Sequence, residues 1–197
     1  MKKTIILAAT FLLAIGAKAQ NVHFGIKGGM NASELQYNDN TKFDTKIGFH
    51  AGLLAHIHTR NSQWAIQPEL FYSLEGAKGI VAGNKNSFNL GYLNIPLLAQ
   101  YLFDNGFRIE AGPQIGFLTS AKSKTDNTSD DRKDDFKSTA FSIPVGVGYL
   151  TTSGFGFDAR YNFGISDINN TSSSTKVQSN VFQFGIFYQF SDSKMKK

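Results

Sequence analysis

The sequence of 197 residues contains no cysteine, which excludes a disulfide and a lipid-modified N-terminal cysteine. Long apolar runs are also missing. Outside the first nineteen residues, no segment approaches the roughly 20 apolar residues that a membrane-spanning helix needs. Proline is scarce, with four residues, whereas glycine and phenylalanine are abundant, with 19 and 18 residues. Such a composition fits tightly pleated strands rather than a disordered tail.

The N-terminus has the pattern of a secretory signal peptide. Met1 to Lys3 is positively charged, residues 4–17 are apolar, and Ala17-Lys18-Ala19 fits a small-residue cleavage site. We therefore predict that residues 1–19 are removed on export, with cleavage between Ala19 and Gln20. The formal charge then falls from +5 to +2, so a nucleic-acid partner is not indicated. The remaining length fits one domain, residues 20–190, with a short polar tail, residues 191–197.

Apolar and polar residues alternate along most of the mature chain, which is the period of a β-strand. In the last such segment Phe182, Phe184 and Ile186 share one face, and Gln183 and Gly185 lie on the other. Eight strands are predicted, at residues 22–32, 45–58, 64–76, 88–103, 106–120, 138–151, 154–166 and 179–190. The connections between them are alternately long and short.

Alternation alone does not say which face is inside, because a soluble lipocalin-type barrel would bury the apolar face. The long and short connections are typical of outer-membrane barrels, with long loops outside the cell and tight turns in the periplasm. Aromatic residues at the strand ends resemble interfacial girdles, and the polar face carries charges at mid-strand. The prediction is an all-β, closed up-and-down antiparallel eight-stranded transmembrane β-barrel in the bacterial outer membrane.

All four prolines, Pro68, Pro96, Pro113 and Pro144, fall inside predicted strands. Proline lacks the N–H that a strand ladder uses, and a closed barrel has no edge strand to receive it. We therefore expect bulges or local breaks in the ladder at these positions.

Several short motifs together resemble one known family. They are GIKGGMN at 25–31, QPEL at 67–70, YLNIPLL at 92–98, AGPQIG at 111–116 and SIPVG at 142–146. In order and spacing this set is similar to the PorT-type outer-membrane β-barrel family, often labelled "porin family". The resemblance implies an eight-stranded outer-membrane barrel of mostly unassigned activity, with a few members tied to protein secretion. It also implies an acidic residue where Asn94 stands here.

If the apolar faces meet lipid, the charged residues point into a lumen that eight strands leave only wide enough for side chains. Six of them sum to zero charge and lie at similar depths: Lys27, Glu69, Arg108, Glu110, Asp158 and Arg160. An isolated buried charge costs several kcal/mol. We therefore predict a paired structural network in the lumen. The alternative is six separate charges, each solvated by lumen water.

Catalytic or cofactor chemistry is weakly supported. A catalytic serine or carboxylate needs a positioned histidine, and the four histidines are His23, His50, His56 and His58. Pairing of the first two strands would bring His23 close to His56, which allows a metal or an acid–base pair, although ordinary lumen histidines are commoner. Gly28-Gly29 lacks the strand-to-helix context of a phosphate loop and more simply makes room in a crowded lumen. No enzyme activity, cofactor or metal is predicted.

The predicted loops offer two further candidate sites. The long loop between the fifth and sixth predicted strands contains five aspartates that lack the spacing of a calcium loop: Asp126, Asp130, Asp131, Asp134 and Asp135. Lys78, Lys85 and Lys176 are candidate contacts for anionic headgroups, and the alternative is that they are ordinary surface lysines.

Four functions remain open: a filled barrel that displays loops for envelope, adhesion or secretion partners, a narrow channel for small solutes or ions, an enzyme with loop-side chemistry, and a soluble periplasmic ligand-binding barrel. The expected partners are outer-membrane lipid and, during insertion, the barrel-assembly machinery. A monomer is expected.

Overall fold

A computed structural model describes residues 22–37, 44–59, 63–81, 84–125, 128–171 and 176–190. The predicted signal peptide, its cleavage position at Ala19 and Gln20, and the polar tail lie outside these residues and stay predictions. Ten strands are present in the described ranges: β1 (Val22–Tyr37), β2 (Asp44–His58), β3 (Trp64–Val81), β4 (Asn84–Leu102), β5 (Phe107–Ala111), β6 (Gln114–Thr125), β7 (Thr128–Asp131), β8 (Thr139–Leu150), β9 (Phe155–Gly164) and β10 (Val177–Gln189).

The strands form a closed antiparallel ring. Adjacent positions in the ring are filled in chain order, and β1 pairs with β10 to complete the circle. β5 and β6 share one position in the ring, because both lie between β4 and β8. β7 folds back on β6 as a hairpin beyond the ring. The ring therefore has eight strand positions, which confirms the predicted fold class.

The apolar side chains lie on the outside of the ring. Phe24 is 66% exposed and Phe184 is 54% exposed, whereas the six predicted lumen charges are each between 2% and 5% exposed. A soluble barrel would show the reverse arrangement. The predicted orientation is therefore correct, and the outer surface is the one that fits lipid.

Aromatic rings form a belt at the end of the barrel where the turns are short. Trp64 contacts Tyr101 with ring centroids 5.2 Å apart, Tyr101 contacts Phe103 at 5.1 Å, and Phe155 contacts Tyr188 at 4.8 Å. These amphipathic and aromatic side chains are typical of the membrane–water interface. The belt marks the periplasmic end.

The four prolines lie side by side across neighbouring strands and interrupt the ladder. Pro68 pairs with Leu97, beside Pro96, and Pro96 pairs with Gln114, beside Pro113. Between β8 and the β5–β6 position, pairing stops at Ala111 with Val145 and resumes at Gln114 with Ser142. The expected ladder breaks are confirmed. The register is unchanged across them, and the register shifts occur elsewhere, between Thr45 and His50 and at Gly91/Tyr92.

Three predicted loops are largely strand, which corrects the sequence interpretation. β1 continues to Tyr37, the β3–β4 hairpin runs to Val81 and Asn84, and β6 continues to Thr125. β3 therefore extends five residues, about 17 Å, beyond its predicted end. The alternation in these extensions was missed because small and polar residues carry it. A single 3-10 turn, Lys133–Asp135, follows β7. No helix in the described ranges is both long and apolar enough to span a membrane.

Candidate functional site

The centre of the lumen is occupied by charged side chains. Glu69, on β3, accepts hydrogen bonds from Lys27 Nζ at 3.0 Å and from both terminal nitrogens of Arg160 at 2.7 and 2.8 Å. Gln67 Nε2 donates a fourth at 2.7 Å. Because β1, β3 and β9 place these residues at one depth, the carboxylate joins opposite walls of the barrel.

Arg160 connects this carboxylate to two others. Its Nε donates to Glu110 Oε1 and lies 3.5 Å from Asp158 Oδ1. Asp158 Oδ1 is also 3.8 Å from Lys27 Nζ, so its ion pairs are longer than those of Glu69. The structure thus brings five of the six predicted residues into one ion-pair cluster, which we call the charge network: Lys27, Glu69, Glu110, Asp158 and Arg160.

Arg108 is the sixth predicted residue, and it stands apart. It forms no ion pair with a described residue. Its NH1 group lies 3.4 Å from Gln100 Oε1, and the guanidinium lies over the Phe187 ring at 5.4 Å. Gln100 donates to Glu110 Oε2 at 2.7 Å. Arg108 is therefore connected to the charge network through an amide.

A polar layer that sequence analysis missed lies on the extracellular side of the charge network. Asn31 Oδ1 accepts a hydrogen bond from His50 Nδ1 at 2.7 Å, and Asn31 Nδ2 donates to Ser73 Oγ at 2.8 Å. Ser73 donates to Glu75 Oε1 at 2.9 Å, and Lys46 Nζ donates to the Glu75 backbone carbonyl at 2.7 Å. Glu75 and Lys46 have the same strand phase as Glu69 and His50, so the period of two could have identified them.

Asn94 belongs to this layer. Its Nδ2 donates to Glu75 Oε1 at 3.2 Å. The resemblance implied an acidic residue at this position, and a second carboxylate here would face Glu75. The Asn94 amide therefore donates a hydrogen bond to Glu75 where a second carboxylate would repel it.

An apolar cluster closes the lumen above the polar layer. It consists of buried residues from the extracellular halves of the strands and from the segment before β10: Leu35, Ala77, Leu90, Tyr92, Leu118, Ala121, Ile168 and Val177, with Phe136 and Ala140 packed against them. We call this set the apolar cap. Ile168 is 1% exposed, although sequence analysis placed it in a loop. The lumen is thus filled first by ion pairs and then by hydrocarbon.

The remaining sequence candidates have ordinary surroundings. His23 lies opposite His56 across β1 and β2, as predicted, and His56 Nδ1 is 3.1 Å from Gln100 Oε1. Within the described ranges, no group of three or more metal-ligating side chains could hold an ion. A methyl group at Gly29 would collide with the Phe184 carbonyl, whereas one at Gly28 would lie 3.6 Å from its nearest neighbour. Gly29 alone of this pair is needed for space.

The acidic segment does not gather its carboxylates. Asp126 lies outside the described residues, and Asp135 pairs with Arg132 at 3.4 Å on the surface. Lys78 is exposed, and the side chain of Lys85 is outside the described part. A different carboxylate, Asp167, is held by Lys137 Nζ at 2.8 Å and by the N–H groups of Val177 and Asn169. These bonds, that of Lys137 first, lower the pKa of Asp167 to about 2.

Comparisons with known proteins agree with this architecture. Neisserial surface protein A superposes with a TM-score of 0.59 at 14% identity, covering 87% of this chain and 100% of that one. Ail, the attachment invasion locus protein of Yersinia pestis, superposes with a TM-score of 0.56 at 17% identity over the same shares. At these identities the likeness shows the fold. No curated protein matches the sequence.

The family is established by the sequence itself. The pattern of the outer membrane protein beta-barrel domain matches residues 18–170, more than three quarters of the chain. This agrees with the lipid-facing apolar surface and the closed ring. The chain belongs to the outer membrane protein beta-barrel domain family, and it is a protein of the bacterial outer membrane.

Proposed function

We propose that this protein is a non-conducting, non-enzymatic barrel that presents an ordered extracellular platform to a protein partner in the envelope, in adhesion or in secretion. The single observation that supports this proposal most strongly is the apolar cap. It packs residues from six strands and two connecting segments on the extracellular side of the charge network. Packed hydrocarbon across the lumen excludes the water that steady ion conduction needs, whereas a binding surface needs a rigid base.

The platform consists of the β3–β4 hairpin, the β6–β7 hairpin and the segments around Phe136 and Ile168. Backbone bonds join the two segments, because Lys137 N donates to the Ile168 carbonyl at 2.8 Å and Asn170 N donates to the Asp135 carbonyl at 2.9 Å. The Lys137–Asp167 ion pair adds a side-chain connection. Loops tied in this way present a defined surface at a low entropic cost of binding.

The charge pattern of the platform favours a protein over a polyanion. Ail of Yersinia pestis has been crystallised with the heparin analogue sucrose octasulfate. In this chain Lys78 lies opposite Asp44 and Lys122 lies opposite Asp131 in the strand register. Opposite charges in adjacent positions reduce the attraction for sulfate groups, whereas mixed charges are common at protein interfaces.

A narrow channel is the alternative function. It would require the charge network and the apolar cap to move aside together. We propose two further partners, which are outer-membrane lipid and, during insertion, the barrel-assembly machinery. Because β1 and β10 of the same chain close the ring, we propose that the mature protein acts as a monomer.

Site-specific photo-cross-linking in intact cells tests the proposal. A photoreactive amino acid would replace exposed Lys122 or Lys133 on the platform, Phe184 on the lipid face, or Thr152 in a periplasmic turn. We expect a discrete protein adduct from the platform positions and none from Phe184. Adducts from Thr152 alone, or from no position in cells that display folded protein, would refute the platform proposal.

A further inference from the structure

The periplasmic mouth of the barrel contains a cavity of about 440 Å³, which we call the vestibule. Its floor is the inner face of β1, β2, β5 and β10, and its rim is formed by the turns at 103–106 and 151–154. Cavities of roughly 300–1,000 Å³ suit small organic ligands. The charge network and the apolar cap block the lumen beyond it, so a ligand here would enter and leave from the periplasm.

Arg108 lies at the floor of the vestibule with unused hydrogen-bonding capacity. It is 3% exposed, and its Nε has no hydrogen-bond partner among the described residues. Gln189, which also lines the vestibule and is 6% exposed, has an unpartnered Nε2. Leaving a buried donor unpaired normally costs about 1–3 kcal/mol. Two such donors beside one cavity mark its floor as a region that is short of hydrogen-bond acceptors.

The comparison with Arg160 shows how unusual this arginine is. Arg160 has ion pairs with three carboxylates. Arg108 has one long contact to an amide oxygen and an aromatic face instead. A planar guanidinium matches carboxylate and phosphate groups in two-bond geometry, so the ligand chemistry that satisfies Arg108 is an oxyanion.

The walls of the vestibule define the rest of the ligand. Phe103, Phe107, Leu102, Leu150 and Phe190 supply apolar surface, and His23, His56 and His58 supply further nitrogen atoms. The only carboxylate among the described lining residues is Asp104, which is exposed in the turn at the rim. A ligand would therefore place its charge at the floor and an apolar body along the aromatic walls.

We propose that the vestibule is a periplasm-facing binding site for a small organic anion, a carboxylate or phosphate monoester with an aromatic or aliphatic body, with Arg108 as its charge-recognition residue. This site is separate from the extracellular platform of the proposed function. An experiment that refutes the vestibule site therefore does not refute the platform, and the reverse also holds.

The test uses the purified, folded full-length protein in micelles and phenyl phosphate as the probe, with binding measured by calorimetry. We expect saturable binding with one site, and no binding of benzylamine, which carries the opposite charge. Arg108→Met should weaken binding at least about tenfold, the loss of roughly one charged hydrogen bond. Arg132→Met, which removes an exposed arginine on the extracellular side, should leave the affinity unchanged.

A second measurement on the unmodified protein keeps the test independent of how well Arg108→Met folds. The ring NMR signals of His23, His56 and His58 should shift on titration, and those of His50, beyond the charge network, should not. Lack of saturable binding to the unmodified protein, equal affinity in Arg108→Met, or shifts confined to His50 would each overturn the proposal.

Discussion

Replacing Glu69 by glutamine should destabilise the barrel strongly, because Glu69 is the carboxylate that both Lys27 and Arg160 share. The substitution keeps the side-chain volume and removes one negative charge that accepts four hydrogen bonds. Breaking a buried ion pair by removing one partner costs about 3–5 kcal/mol. With a denaturant dependence of about 2 kcal/mol per molar urea, the midpoint should fall by about 2 M.

Second substitutions at two different cations distinguish geometry from net charge. Lys27→Met and Arg160→Met each restore neutrality to the Glu69→Gln barrel. Without the Glu69 carboxylate, Lys27 keeps the 3.8 Å contact to Asp158 and its position over the Phe71 ring, so removing Lys27 should recover about 1–3 kcal/mol. Arg160 still holds Glu110 and Asp158, so removing it should cause a further loss.

Unfolding in urea can be followed by the fluorescence of Trp64, the single tryptophan, which lies on the outer surface of the aromatic belt. Gln183→Asn, a change at another buried lumen position outside the ion pairs, controls for small volume effects. Equal recovery by Lys27→Met and Arg160→Met would show that net charge alone matters. Strictly additive losses in both double variants would refute the network.

Three further changes test other parts of the structure. Gly156→Ala would drive a methyl group into the Phe187 ring and should cost about 1–3 kcal/mol, whereas Gly28→Ala should have little effect; equal midpoints for the two in urea would contradict the packing. Leu90→Ala, which opens the apolar cap, should cost about 2–5 kcal/mol locally and raise protease cleavage of the platform in intact cells, while lipid-facing Leu93→Ala should not; unchanged cleavage would argue against the cap. The hydrogen bond from Lys137 is the main cause that lowers the pKa of Asp167 from 3.8 to about 2, so the stabilising effect of this carboxylate is complete above about pH 4 and is lost as the pH falls through 2. The NMR titration midpoint of its carboxyl carbon should rise towards the usual value in Lys137→Met. An unchanged midpoint would show that Lys137 does not lower the pKa of Asp167.

The barrel and the inward direction of its charges follow from sequence because strand alternation is a local property. Lys27, Glu69 and Arg160 lie at inward-facing positions of the alternation in their strands. Because they are equally far from the short turns, they lie at equal depth in the lumen. Counting residues from the turns predicts which side chains lie near each other, but not which of them form contacts. It does not distinguish Arg160, which bridges three carboxylates, from Arg108, which meets an amide and a ring, because this depends on side-chain direction and on strand stagger.

The platform was less accessible to sequence reasoning for a different reason. In the β3–β4 extension the alternation is carried by small residues such as Ala77 among glycine, lysine and asparagine, so the apolar signal is weak. Ile168 is buried by partners that lie far away in sequence. Its burial depends on tertiary packing, which no local pattern reports.

The measurement that tests the closed lumen most directly is ion conductance across a planar bilayer. Protein from the same preparation should first show the mobility shift between unheated and boiled samples that a folded barrel gives. Folded protein should then show no large, steady conductance, because the charge network and the apolar cap both cross the lumen. Steady ohmic openings comparable to those of 16-stranded porins would contradict the account.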